Sequence, residues 1–169
     1  MNEIINILIV DDDMGHATLI RKNLKRLGLK NPVFHFKDGQ EILDFFFEKN
    51  SGKPIKSGDS YMMLLDIRMP KVDGVEVLKR IKAHDDFRKI PIIIITTNDD
   101  PRDIEYCYSI GCSGYIIKPI KYERFAETIN NLDILLDRND SPDFNSTGSF
   151  GMRDSVLGGI ENKNEFANF

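Results

Sequence analysis

The chain has 169 residues, 41% hydrophobic and 30% charged, which is enough apolar material for a core without disulfide or metal staples. A formal net charge of -4 argues against nucleic-acid binding, which needs clustered Lys and Arg to neutralise phosphates. No apolar run approaches the roughly 20 residues that span a bilayer, and Met1 to Asn6 has no basic stretch leading into a signal-type segment, so a soluble cytoplasmic protein with no membrane contact is expected.

Ile4 to Val10 is a short, largely β-branched apolar run that ends in Asp11, Asp12 and Asp13, the pattern of a strand buried on both faces. Ala17, Ile20, Leu24 and Leu27 then recur at helical spacing up to Gly28, a natural stop, and one of the preceding acids is placed to cap this helix. Val33 to Phe36 reads as a second strand. Asp38 caps the next helix with Glu41 set for a capping box, and Ile42, Leu43, Phe46 and Phe47 form its apolar side. Asn50 to Ser60, rich in Ser, Gly, Lys and Pro, reads as a long exposed loop. Met62 to Leu65 is a third strand that ends at Asp66, and Val75, Leu78 and Ile81 mark a third helix. Ile92 to Ile95, the most apolar run, ends in Thr96 and Thr97. Asp100 caps the following helix, with Pro101 at its first position, where a missing N–H costs nothing. Tyr115 to Ile117 is a fifth strand running into Lys118-Pro119, a sequence that favours extended backbone at Lys118. Phe125, Ile129, Leu132 and Leu136 mark the last helix. Beyond it, residues 137–169 turn polar and lose periodicity, which suggests a flexible tail after a domain covering 1–136.

Cys107 and Cys112 have neither zinc nor redox spacing, and two buried thiols in a reducing compartment are expected. His16, His35 and His84 are scattered without ligand-like spacing, so no metal role is expected of them.

Five alternating strands and helices give a (βα)5 chain, an α/β domain with a parallel sheet and helices on both faces. In such sheets the crevice lies at the carboxyl ends of the strands. Asp11 and Asp12, Asp66, Thr96 and Lys118 all fall there, each on a different strand, so they converge in space. Two carboxylates about 4 Å apart repel by on the order of 4 kcal/mol at an effective dielectric of 20. A hard divalent cation relieves that repulsion, and an all-oxygen donor set suits Mg²⁺. A carboxylate is also a competent nucleophile for phosphoryl transfer. Lys118 and the Thr96 hydroxyl are placed to hold the charged oxygens of the transferred group.

ILIVDDD, LLDIRMPKVDG, IPIIIIT and GYIIKP together resemble the receiver domain of two-component response regulators, over about Ile4 to Leu136. The resemblance implies the flavodoxin-like strand order. It also implies Asp66 as phosphoacceptor, Asp11 and Asp12 as the acidic pair that holds Mg²⁺ with Asp66, and the backbone carbonyl of Arg68 as a further ligand. Thr96 and Lys118 would bind the phosphoryl group, and Tyr115 would be the aromatic that turns inward on switching. Gly74, after the acceptor strand, is expected to supply a backbone conformation closed to other residues. Thr97 stands where a smaller residue is usual, and Arg68 and Asn98 occupy positions that tune phosphoryl lifetime. The long loop and the lack of an output domain are similar to single-domain regulators paired with phytochrome-type kinases. The implied partners are a sensor histidine kinase or phosphotransfer protein and a downstream protein, with self-association left open by the apolar final helix.

Three rival readings fit the residues less well. A dehalogenase-type phosphohydrolase wants an acid two residues after the nucleophile, where Arg68 stands. A nucleotide or flavin site wants Gly, Ser or Thr after the first strand, where Asp11 to Asp13 would repel an anion. A phosphorylation-independent binding module would have lost the acceptor, the acidic pair or the Lys, and all are present.

Overall fold

The computed structural model describes residues 4–48 and 59–131. Ten elements alternate in chain order: β1 (Ile5–Val10), α1 (Met14–Arg26), β2 (Val33–Phe36), α2 (Gly39–Phe47), β3 (Ser60–Leu65), α3 (Gly74–Ala83), β4 (Ile92–Thr96), α4 (Pro101–Ile110), β5 (Gly114–Ile117) and α5 (Tyr122–Asn130). The five strands form one parallel sheet in the order β2-β1-β3-β4-β5, the flavodoxin-like arrangement.

Because side chains alternate across a strand, each strand feeds two cores. Leu8, Val10, Met63, Leu65, Ile92 and Ile94 pack with the buried faces of α2, α3 and α4. Ile7, Ile9, Met62, Leu64, Ile93 and Ile95 pack with Ala17, Ile20 and Leu24 of α1 and Phe125 and Ile129 of α5. Each fully buried aliphatic side chain contributes about 1.5–3 kcal/mol, which is why the strands read as continuous apolar runs.

The helix starts follow the sequence closely. Asp13, Asp38, Asp73 and Asp100 each accept a backbone N–H in the first turn of α1, α2, α3 and α4. Glu41 reaches back to the N–H of Lys37, one residue ahead of the cap. The α1 helix closes at Gly28, whose N–H meets the Lys25 carbonyl while Leu29 N–H meets that of Leu24.

Four expectations are corrected. Phe45, three residues after Ile42, takes the inward place expected of Phe47, packing on Phe36 and Tyr61, while Phe47 at the helix end is 38% exposed. Val77 joins Leu78 and Ile81 in the core, with Val75 only partly buried. Ser60 opens β3 opposite Ile5 instead of closing a loop; Thr96 ends β4 as expected, paired with Ile117. Gly74 has no left-handed backbone: a Cβ there would run into the Asp66 carbonyl, so close approach is what requires glycine. Leu132, Leu136 and the tail expected over 137–169 lie outside the described residues, as does most of the 50–60 loop. Among the described residues no helix is long and apolar enough to cross a membrane, and Cys107 and Cys112 are free and buried.

Candidate functional site

The carboxyl ends of the strands are stitched together by backbone bonds. Asp11 N–H donates to the Phe36 carbonyl (3.1 Å), Asp66 N–H to that of Val10 (2.9 Å), and Lys118 N–H to that of Thr96 (2.8 Å). These bonds place the first residue after β1, β3 and β5 at one edge. The His35 ring reinforces it, with Nε2 donating to the Asp11 carbonyl at 2.7 Å.

Asp11, Asp12 and Asp66 each bring a carboxylate oxygen within 4.8 Å of the others. Asp11 and Asp66 are buried and Asp12 is exposed. Asp13 does not join the cluster: it caps α1 and donates its N–H to Asp11 Oδ1 at 2.9 Å. Lys118 Nζ lies 2.8 Å from Asp11 Oδ2 and 3.2 Å from Asp66 Oδ2, with its side chain only 5% exposed. Burial pushes the Asp66 carboxyl above its ordinary range, and the neighbouring Asp11 charge adds to this while Lys118 opposes it. The ammonium offsets only part of the crowded negative charge. The donor set is all oxygen and hard, with one exposed member open to solvent, which fits a divalent cation that keeps some of its waters.

Arg68 follows in the turn after β3; its N–H points at Asp66 Oδ1 (3.4 Å) and its side chain is exposed. Thr96 is fully buried at the end of β4, and its hydroxyl oxygen accepts the Asn98 N–H at 3.4 Å. Thr97 is exposed. Tyr115 is 2% exposed and its phenol donates to the Asn98 carbonyl at 2.9 Å, so the ring is already inward. Burial raises its pKa and keeps the phenol protonated. Asn98 in turn braces the β4–α4 turn, with Oδ1 on Asp100 N–H and Nδ2 on Asp103. The expected acids, Thr96 and Lys118 are thus brought to one edge, while Tyr115 stands on β5 opposite Ile94 and is joined to Thr96 through Asn98.

One residue at the site lies outside the set inferred from the sequence, where only a metal role was considered for it and not expected. His16, in the first turn of α1, has Nδ1 2.8 Å from Lys118 Nζ and 3.7 Å from Asp11 Oδ2. No spacing rule links positions 102 apart. The only signal was its place in the helix turn that follows the acidic run.

Comparison with known proteins agrees with this geometry. Residues 7–130 match the response regulator receiver domain family. The probable methanogenesis regulatory protein FilR2 of Methanothrix harundinacea is 36% identical over 127 residues, 75% of this chain and 79% of its own. Response regulator Rcp1 of Synechocystis sp. is 30% identical over 112 residues, 66% of this chain and 75% of its own. A Mn²⁺-bound crystal structure of Rcp1 aligns with TM-score 0.66 at 23% identity, covering 81% of this chain and 99% of that one. The bacteriophytochrome response regulator AtBRR aligns with TM-score 0.68 at 31% identity, over 82% of this chain and 99% of its own. Matched by this family over residues 7–130 and built on the strand order β2-β1-β3-β4-β5, the chain belongs to the response regulator receiver domain family of two-component systems.

Proposed function

We propose that this chain is a response regulator receiver that accepts a phosphoryl group on Asp66 from a phosphohistidine of a sensor kinase. The observation that carries the reading is the placement of Asp66: buried at the end of β3, within 4.8 Å of two other carboxylates and 3.2 Å from the Lys118 ammonium. An Asp66 carboxylate oxygen forms a bond to phosphorus as the phosphorus–nitrogen bond to the donor imidazole breaks, and the departing imidazole nitrogen takes a proton from solvent. Lys118 holds one phosphoryl oxygen, and the Thr96 hydroxyl, moving toward the group, holds another. Asp11, Asp12, Asp66 and the Arg68 carbonyl would hold Mg²⁺, which when bound neutralises charge on the acids and the phosphoryl oxygens.

Thr96 and Tyr115 carry the signal outward. Movement of Thr96 toward the phosphoryl group disturbs its contact with Asn98, whose carbonyl is the Tyr115 anchor, so the two residues shift together and change the surface of α4, β5 and α5. Signalling is by protein–protein contact in the cytoplasm, without catalysis of any reaction but the protein's own phosphorylation and dephosphorylation. The likeness to AtBRR supports a phytochrome-type kinase as the donor.

The test is intact mass after incubation with acetyl phosphate, with and without Mg²⁺, for wild type and Asp66→Asn. A single phosphoryl adduct that needs Mg²⁺ and is missing from Asp66→Asn is expected. A wild type that takes no adduct, even from a phosphoramidate, would sink the reading in favour of a phosphorylation-independent binding module.

A further inference from the structure

A lysine ammonium has three N–H donors and no acceptor. At Lys118 all three have a partner: Asp11 Oδ2 at 2.8 Å, His16 Nδ1 at 2.8 Å and Asp66 Oδ2 at 3.2 Å. Two of these partners are charged and belong to the acidic cluster. The third is an imidazole nitrogen, which can accept from the ammonium in the tautomer that leaves Nδ1 without a proton. The backbone of His16 is fixed independently, its N–H held by the α1 cap Asp13 at 3.0 Å. That bond fixes the backbone of the first turn, from which the ring reaches Lys118 and Asp11, with the His16 side chain 39% exposed.

The three anchors are not equivalent once the site is in use. Asp11 is shared: a divalent cation held by the acids draws on the same carboxylate that holds Lys118. Asp66 changes its charge distribution when it is phosphorylated. A neutral nitrogen attracts a divalent cation of the Mg²⁺ class poorly, since such ions prefer oxygen. Its bond to Lys118 is therefore the one that survives both events. An ammonium only 5% exposed and short of one acceptor would have to swing toward whichever carboxylate remained.

We propose that His16 is a positioning residue for Lys118, a neutral third anchor that keeps the ammonium aimed at Asp66 while the acids are engaged by a cation. This rests on the reading of Asp66 as phosphoacceptor and assigns a role to a side chain outside the set inferred from sequence.

Two full-length variants test it. His16→Leu removes the acceptor, and His16→Asn puts an amide oxygen near the Nδ1 position; far-UV circular dichroism checks that both fold. The first readout is the side-chain ammonium ¹H–¹⁵N signal of Lys118, recorded without metal or phosphodonor. It is expected to be protected in wild type and His16→Asn, and lost or shifted in His16→Leu. The second is the initial rate of adduct formation with acetyl phosphate and Mg²⁺, expected to fall roughly five- to tenfold in His16→Leu and to recover to within about twofold in His16→Asn. A wild-type signal and rate in His16→Leu would overturn the proposal. So would a change in only one of the two readouts, or a folded His16→Asn that behaves like His16→Leu. A wild type that never accepts a phosphoryl group would sink the functional reading instead, and the ammonium signal would still decide whether His16 holds Lys118.

Discussion

Lys118 is the cation on which the buried acids depend, and its removal separates two roles. In Lys118→Ala, Asp11 and Asp66 face each other without a counter-charge, and without divalent cation the fold should lose about 3 kcal/mol, read from urea unfolding. With Mg²⁺ present the variant should still take some phosphoryl group, but the Tyr115 ring resonances should no longer move on phosphorylation. A Lys118→Ala protein whose Tyr115 shifts as in wild type would contradict that coupling. The Asp66 titration has a definite sign. Its folded pKa lies above the ordinary 3.8, so this residue favours the fold most below 3.8, and the advantage is lost as pH rises through the raised folded value. The candidate acids, Thr96 and Lys118 were legible in the sequence because each follows or ends an unmistakable strand. His16 was not, because its partner comes from the far end of the chain, and no local pattern tells a helix which way its first turn will face.

Where α2 begins, the structure shows a device for positioning the turn that carries Arg68. Asp38 caps α2 through the Glu41 N–H (2.8 Å) and also accepts the Lys71 ammonium at 2.9 Å. A Cβ on Gly39 would strike the Val72 carbonyl, so the β2–α2 and β3–α3 turns are in direct contact here. Burial alone would raise the Asp38 pKa, but the bonds from Lys71 and the Glu41 N–H outweigh it and the value is lowered. Asp38 therefore stabilises the fold above the ordinary 3.8, and that contribution is lost as pH falls through the depressed folded value. Asp38→Ala should cost about 1–2 kcal/mol through the lost cap, and below the ordinary 3.8 its urea midpoint should depend less on pH than that of the wild type. The cap itself could be read from the sequence, since an Asp ahead of an apolar helical pattern is a local signal. The contact with Lys71, 33 positions away, and the choice of Phe45 over Phe47 for the core could not. Both depend on what the neighbouring strand and turn place opposite α2.

Taken whole, the site exists only when β1, β3, β4 and β5 are side by side, so a ligand that bridges their ends binds the folded chain and not the unfolded one. Mg²⁺ at ten times its Kd should then stabilise the protein by about 1.4 kcal/mol and raise Tm by about 3–6 °C. Chelation should reverse the shift, and Asp12→Ala should lose it; an equal shift in Asp12→Ala, measured by differential scanning calorimetry, would place the ion elsewhere. The sequence by itself determined the α/β class, the strand ends and the chemistry of the groups standing there. Apolar runs, caps and acids act within a few residues of themselves, so they are written locally. Only the tertiary structure decided that Tyr115 is already inward on the Asn98 carbonyl, that Gly74 is needed for its close approach to Asp66, and that His16 completes the three contacts of Lys118. Each of those is a contact between residues that no local pattern links, and how closely and in what direction they meet is fixed by packing, not by the residues next to them.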